Sequence, residues 1–160
     1  FAKDTCNVYT TKEFFNTLTN GTLSYKIDKI YKEGNAEGIF WGGNLSTLVS
    51  LCGQDFIPDK KFIFFTEDLN EPVYKIDKMF RQLINIENFR KNIQAIVLGD
   101  FIELDNEEWF DDLIKEIISE LNIPVVKKNG ITHLSRKITV PYGINTQLVK
   151  NTLFFENYLQ

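Results

Sequence analysis

Short apolar runs predict the strands of this chain. Residues 22–31, TLSYKIDKIY, alternate between apolar and polar positions, which predicts a single half-exposed strand. The apolar runs at 61–65 and 93–101 are typical of strands that a parallel sheet buries on both faces, and 123–128 predicts a fourth strand. The stretch GIFWGGNLSTLVSLCG, at 38–53, predicts a strand, a glycine turn and a short helix.

Helical periodicity predicts three amphipathic helices. A helix over 10–21 ends at Gly21 and places three apolar side chains on one face, namely Phe14, Phe15 and Leu18. A second helix follows Asn70 and has Pro72 in its first turn, where a missing N–H costs nothing. The third, over 105–122, carries acids at its N-terminus, where the helix dipole favours them.

The order of these elements predicts an α/β fold. The middle of the chain runs β-α-β-α-β, which predicts helices packed on a parallel sheet with right-handed crossovers. Strand-like pieces at 136–141, 146–151 and 152–157 add antiparallel strands, either in one mixed sheet or in a second, smaller antiparallel sheet. A chain of 160 residues suits a single domain, 1–160.

Composition and charge weigh against several classes of function. The net charge is −4, and no basic patch is visible along the chain, so we expect no nucleic-acid partner. No apolar run approaches the ~20 residues of a membrane helix, so we expect no membrane partner. Cys6 and Cys52 stand outside any CxxC or Cys/His pattern, so we expect no metal and a reduced, cytoplasmic setting, although two thiols also permit one disulfide.

Carboxylates cluster where two predicted strands end. Glu67 and Asp68 follow the apolar run at 61–65, and Asp100 ends the next strand. Functional groups of open α/β sheets collect at the carboxyl ends of parallel strands, so these acids could face one another. The alternative is structural: Asp68 could cap the helix that Pro72 opens, and Glu67 alone lacks such an explanation.

The single histidine, His133, is the other candidate for chemistry. A lone histidine is more often a surface or core residue than a catalyst. If His133 met Glu67, however, the carboxylate would fix the ring tautomer and the second ring nitrogen would serve as a general base. The two residues are far apart in sequence, so only the fold could join them.

A glycine turn provides a third candidate region. Trp41, Gly42, Gly43 and Asn44 could bind substrate, because glycines allow close backbone approach and a helix start offers free N–H groups. The alternative is a tight strand-to-helix turn with Trp41 packed in the core.

Four ordered segments identify a family. WGGNLSTLVSLCG, FFTEDLNEPVYKIDKMFRQL, AIVLGDF and THLSRKITVPYG together resemble the C-terminal half of LD-carboxypeptidases. This serine peptidase family includes murein tetrapeptide carboxypeptidases and microcin C self-immunity peptidases. The resemblance implies a swivelling β/β/α-type domain, with a parallel sheet, helices and a smaller antiparallel sheet.

The resemblance also implies roles for two residues. The family triad is Ser-Glu-His, and its Glu and His fall on Glu67 and His133, with Thr132 where many members have glycine. The serine lies on a Gly-x-Ser-Asp turn of the family's N-terminal domain, and no serine of this chain has that context.

The chain therefore resembles the C-terminal domain of a longer two-domain peptidase, without the nucleophile domain. Such an enzyme hydrolyses an L-to-D peptide bond next to a free carboxylate, needs no cofactor, works in the cytoplasm and usually forms a homodimer. Its partners would be a peptide ending in a D-amino acid and its own N-terminal domain, and the chain alone would be inactive. The alternative is a non-catalytic binding or dimerisation module with the same fold.

Overall fold

The computed structural model describes residues 7–159, so Cys6 lies outside the described residues. Five helices lie within this range: α1 Val8–Asn20, α2 Leu45–Val49, α3 Val73–Ile84, α4 Glu87–Asn92 and α5 Glu107–Leu121. Eight strands accompany them: β1 Thr22–Lys26, β2 Lys29–Lys32, β3 Ala36–Asn44, β4 Phe62–Leu69, β5 Ile93–Ile102, β6 Val125–Lys127, β7 Asn145–Val149 and β8 Thr152–Glu156. Among the described residues, no helix is long and apolar enough to cross a membrane.

All eight strands form one mixed sheet, in the order β1-β8-β7-β3-β4-β5-β6-β2. The central strands β3 to β6 are parallel, and the outer strands pair antiparallel. This confirms the α/β fold with a parallel sheet and helices. The antiparallel strands are not a separate smaller sheet, because β7 pairs directly with β3, where Gly38 lies opposite Thr146. That pairing satisfies the free edge of β3.

The sheet curls so strongly that its two edges meet. The sequence predicted one strand over 22–31, but the chain breaks at Ile27 and Asp28, and the two halves lie at opposite edges. The Ile27 N–H donates to the Asn151 carbonyl at 2.8 Å, and the Asp28 N–H donates to the Lys127 carbonyl at 3.0 Å. The twisted sheet therefore curls around an inner, concave face until two residues, Ile27 and Asp28, span from one edge to the other.

Each face of the curled sheet has its own apolar core. Helices α2 to α5 pack on the outer face, where Phe62, Phe64 and Phe89 are fully buried. The inner face is filled by a second cluster around Phe40 and Phe155. The alternation of side chains along each strand sends successive residues to the two cores, which explains the almost continuous apolar runs.

Two predicted elements differ in the structure. Residues 136–141 form no strand, because this segment crosses the inner face with Ile138 buried against the second core. In α1 the apolar face is not buried: Phe15 is 58% and Leu18 51% exposed, while Thr17 is buried. The hydroxyl of Thr17 lies within hydrogen-bonding distance of two carbonyls, that of Glu13 within α1 and that of Thr139 in the segment that follows the His133 loop, so Thr17 joins this helix to that segment.

Candidate active site

Glu67 and His133 are in direct contact. Glu67 lies near the end of β4, it is 5% exposed, and its Oε2 is 2.6 Å from His133 Nδ1. His133 belongs to the irregular segment after β6, and about half of its side chain is open to solvent. The fold thus joins two residues that are 66 positions apart in the sequence.

The contact determines how the imidazole can act. An ionised carboxylate only accepts hydrogen bonds, so Glu67 pairs with a protonated Nδ1. In the neutral ring, Nε2 then carries the lone pair and can accept a proton. A buried carboxylate beside a half-exposed imidazole is the arrangement that orients a histidine as a general base.

A bulge in β5 lies beside Glu67. Thr66 pairs with Leu98 and Asp68 with Phe101, so β5 has one more residue than β4 between these two pairs. The residues between Leu98 and Phe101 are Gly99 and Asp100. Bulges at strand ends redirect side chains and are common beside active sites, so this one sets the local direction of the β5 end.

Asp68 has a structural role that differs from the predicted cap. Its carboxylate accepts hydrogen bonds from Asn44 Nδ2 at 2.9 Å, from the Ser46 N–H at 2.8 Å and from the Leu69 N–H at 2.9 Å. It therefore ties the start of α2 to the end of β4. At the start of the helix that follows Pro72, the acceptor is instead Asp105, whose carboxylate accepts a hydrogen bond from the Val73 N–H at 2.8 Å.

The glycine turn is largely occupied by its own contacts. The Trp41 side chain is 5% exposed and packs against three phenylalanines of the helix-side core, Phe56, Phe62 and Phe64. Two N–H groups in the first turn of α2 already have acceptors within the chain. Asp68 accepts from the Ser46 N–H, and Asn44 Oδ1 accepts from the Thr47 N–H at 3.0 Å.

The two glycines of this turn differ. A Cβ on Gly42 would lie 1.7 Å from the Phe65 carbonyl oxygen, so this position demands close backbone approach. A Cβ on Gly43 would meet no atom within 4 Å. Of the four predicted substrate-binding residues, Trp41 and Gly42 are buried, whereas Gly43 and Asn44 are partly exposed.

The family model described as LD-carboxypeptidase C-terminal domain matches residues 37–148, a range that includes both Glu67 and His133. The chain belongs to this family. This LD-carboxypeptidase C-terminal domain is 27% identical over 143 residues to the Microcin C7 self-immunity protein MccF of Escherichia coli, a match that covers 81% of the chain and 40% of that protein. It is 31% identical over 116 residues to the probable murein peptide carboxypeptidase of Bacillus subtilis, covering 69% of the chain and 36% of that protein.

Solved structures share the fold. The crystal structure of muramoyltetrapeptide carboxypeptidase from Oxalobacter formigenes superposes with a TM-score of 0.82 at 28% identity, over 96% of this chain and 56% of that one. MccF in complex with glutamyl sulfamoyl guanosine has the same fold, with a TM-score of 0.76 at 21% identity over 94% of this chain. This LD-carboxypeptidase C-terminal domain spans about two-fifths of the length of the curated relatives described above.

Some features of the site have no simple signal in the sequence. Tyr142 lies edge-on to Phe65, with 6.3 Å between ring centroids, and burial raises the pKa of its hydroxyl. The sequence placed Asp100 at the end of a strand but gave no signal for the bulge at Gly99 and Asp100. Within residues 7–159, no three His, Cys, Asp or Glu side chains come together in a group that could hold a metal ion.

Proposed function

We propose that Glu67 and His133 are the acid and base of a Ser-Glu-His triad, and that this chain is the C-terminal domain of a cytoplasmic serine LD-carboxypeptidase. The single observation that carries the proposal is the contact of 2.6 Å between Glu67 Oε2 and His133 Nδ1. Membership of the family supports it, because the family match includes both residues. The nucleophilic serine and the oxyanion-hole donors would come from an N-terminal domain.

The proposed chemistry assigns one task to each group. His133 Nε2 takes the proton of the serine hydroxyl as its oxygen attacks the peptide carbonyl, and then gives this proton to the leaving amine of the D-amino acid. A water molecule hydrolyses the acyl-enzyme by the same route, with His133 again as the base. Glu67 holds the ring through Nδ1 and stabilises its cationic form.

The proposed substrate is a peptide ending in a D-amino acid, cut at the L-to-D bond next to the free carboxylate. The names of two relatives, a murein peptide carboxypeptidase and a muramoyltetrapeptide carboxypeptidase, favour murein tetrapeptide. A peptidyl nucleotide of the microcin type is the second candidate, because the match to MccF covers 81% of the chain. We propose that the full-length enzyme is a homodimer.

The test uses the longer protein that contains this chain, assayed for release of the terminal D-amino acid from murein tetrapeptide. Glu67→Gln and His133→Ala should each lower kcat by roughly 10⁴-fold. The matched control is Glu71→Gln, which removes a carboxylate that pairs with Lys75 at 2.8 Å instead of with His133. The 160-residue chain alone should release no amino acid.

Two results would refute this function. Full activity in Glu67→Gln would mean that the contact with His133 has no catalytic role. Binding of the tetrapeptide without any hydrolysis by the longer protein would favour the alternative, a non-catalytic binding module with the same fold.

A further inference from the structure

His133 lies in a closed loop, residues 130–138. The Ile138 N–H donates to the Gly130 carbonyl at 3.0 Å, which joins the two ends of this loop. Ile131 and Ile138 are buried in the inner core, at 6% and 9% exposure, while His133 itself projects from the loop. The position of the imidazole therefore depends on what holds the loop against the sheet.

One side of the loop is held by the end of β5. The Asp100 N–H donates to the Ile131 carbonyl at 2.8 Å, and the Asp100 carboxylate accepts from the Gly130 N–H at 3.1 Å. Asp100 thus contacts two consecutive loop residues, one through its backbone and one through its side chain. His133 follows two residues later.

Gly99 lets both Glu67 and the loop, at Ile131, approach β5 closely. A Cβ at this position would lie 2.3 Å from the Ile131 carbonyl oxygen and 3.0 Å from Glu67 Cβ. Real Cβ atoms essentially never approach other atoms below 3.0 Å, so a side chain here would displace the Ile131 backbone, which has no flexible end that could give way. The absence of a side chain on Gly99 thus sets the spacing between the loop and Glu67.

The other side of the loop is held by α1. The Thr10 hydroxyl donates to the Ser135 carbonyl at 2.8 Å and accepts from the Lys137 N–H at 2.9 Å. One side chain therefore bridges two backbone groups on the far side of His133. Hydrogen bonds on both sides leave the loop little freedom to move along the sheet.

We propose that Gly99, Asp100 and Thr10 are positioning residues, which hold the loop of residues 130–138 so that His133 faces Glu67. The inference rests on the proposed function for its catalytic meaning, but the geometry can be tested without activity. Relieving the overlap at Gly99 requires a movement of roughly 1 Å, and a misplacement of this size costs about 10²-fold in rate.

The first experiment reads the His133 tautomer in the 160-residue chain by ¹⁵N NMR. With a single histidine the ring signals are unambiguous, and the spectra are recorded at about pH 8.5, where a histidine is ordinarily neutral. Wild type should show Nδ1 protonated and Nε2 unprotonated, because Glu67 accepts from Nδ1. Gly99→Ala should shift the ring towards the opposite tautomer or a mixture while the chain stays folded.

The matched control is Gly38→Ala. A Cβ on Gly38 would lie 2.7 Å from the Lys61 carbonyl oxygen, so the same kind of overlap arises beside the first residues of β4. Both substitutions should lower the unfolding temperature, but only Gly99→Ala should change the tautomer. An unchanged tautomer in a folded Gly99→Ala chain overturns the positioning role of Gly99.

Side-chain substitutions keep the proposal testable if Gly99→Ala does not fold. Thr10→Val removes both bonds to the loop and keeps the shape, whereas Thr10→Ser keeps the hydroxyl. Asp100→Ala removes the acceptor for the Gly130 N–H, whereas Asp100→Asn keeps an acceptor oxygen without the charge. Thr10→Val and Asp100→Ala should disturb the His133 tautomer, whereas Thr10→Ser and Asp100→Asn should preserve it. The proposal is overturned if Thr10→Val gives the same spectrum as Thr10→Ser and Asp100→Ala the same spectrum as Asp100→Asn.

Activity of the longer protein separates this inference from the proposed function. Thr10→Val and Gly99→Ala should lower kcat, by about 10²-fold for Gly99→Ala, with little change in KM, because they misplace the base and leave substrate contacts intact. If Glu67→Gln keeps full activity, the proposed function fails, yet a tautomer change in Gly99→Ala still supports the positioning role.

Discussion

Replacing Asp68 with alanine should destabilise the domain more than the loss of any exposed acid. Asp68 is 3% exposed, and its carboxylate accepts three hydrogen bonds of 2.9 Å or less. The donors come from the end of β3, the first turn of α2 and β4 itself. Alanine would leave Asn44 Nδ2 and the Ser46 N–H, both partly buried, without an acceptor.

The expected loss in the free energy of unfolding is about 3 kcal/mol. Each buried donor left without a partner costs on the order of 1–3 kcal/mol, and bonds to an ionised acceptor lie towards the upper end. The Leu69 N–H adds little, because Leu69 is 40% exposed and water can replace the carboxylate there. A loss of this size corresponds to a fall of roughly 6–12 °C in Tm for a domain of this length.

Urea denaturation of the 160-residue chain, followed by Trp fluorescence, measures this difference. The matched control is Asp112→Ala, which removes a carboxylate that is 66% exposed and pairs only with Lys115. Such an exposed pair contributes at most about 0.5 kcal/mol.

The comparison of the two variants decides the result. If Asp68→Ala and Asp112→Ala have the same midpoint and slope, the three hydrogen bonds of Asp68 do not stabilise the junction between β3, α2 and β4. The structural role given to Asp68 would then be wrong.

Two further predictions concern the pH dependence of stability. Burial acts to raise the pKa of Asp111, but hydrogen bonds from Lys29 and Tyr31 outweigh it and hold that pKa below its usual value. Wild type should therefore be more stable than Asp111→Asn at neutral pH, and this difference should shrink as the pH falls below the ordinary Asp pKa of about 3.9. Burial and the neighbouring Glu13 raise the pKa of Tyr25, so the chain should lose stability above about pH 10, and Tyr25→Phe should lose less. Urea unfolding at a series of pH values measures the free energy of unfolding of each variant and of wild type.

Each of these two predictions is checked by comparing the variant with wild type at every pH. For Asp111→Asn, a difference from wild type that stays constant down to acid pH would contradict the ion pair with Lys29. For Tyr25→Phe, parallel losses of stability in both chains above pH 10 would mean that the Tyr25 hydroxyl does not titrate differently in the folded state.

Local patterns in the sequence were sufficient for the centre of the domain. The runs at 61–65 and 93–101 are strands in the structure, and the helix after Pro72 begins at Val73. These elements are predictable because a buried strand or an amphipathic helix repeats its apolar positions over many residues. Short α4 was missed, since six residues give too few repeats.

Of the candidate pair, the sequence pattern singled out Glu67 but not His133. Glu67 stands out in the sequence as a carboxylate that follows a buried strand and has no evident role as a helix cap. A lone histidine has no such signal, and His133 was linked to Glu67 by the family resemblance. Their contact of 2.6 Å depends on the path of the loop across the inner face.

The sequence by itself determined the central strands and the long helices, because periodicity reports the face that each of these elements must bury. Only the tertiary structure decided that residues 22–31 divide between two edges of one sheet, that Asp68 serves α2, and that Gly99 must lack a side chain. Each of these facts is a contact between segments distant along the chain. Such contacts follow from how the sheet curls, and no local pattern encodes that curvature.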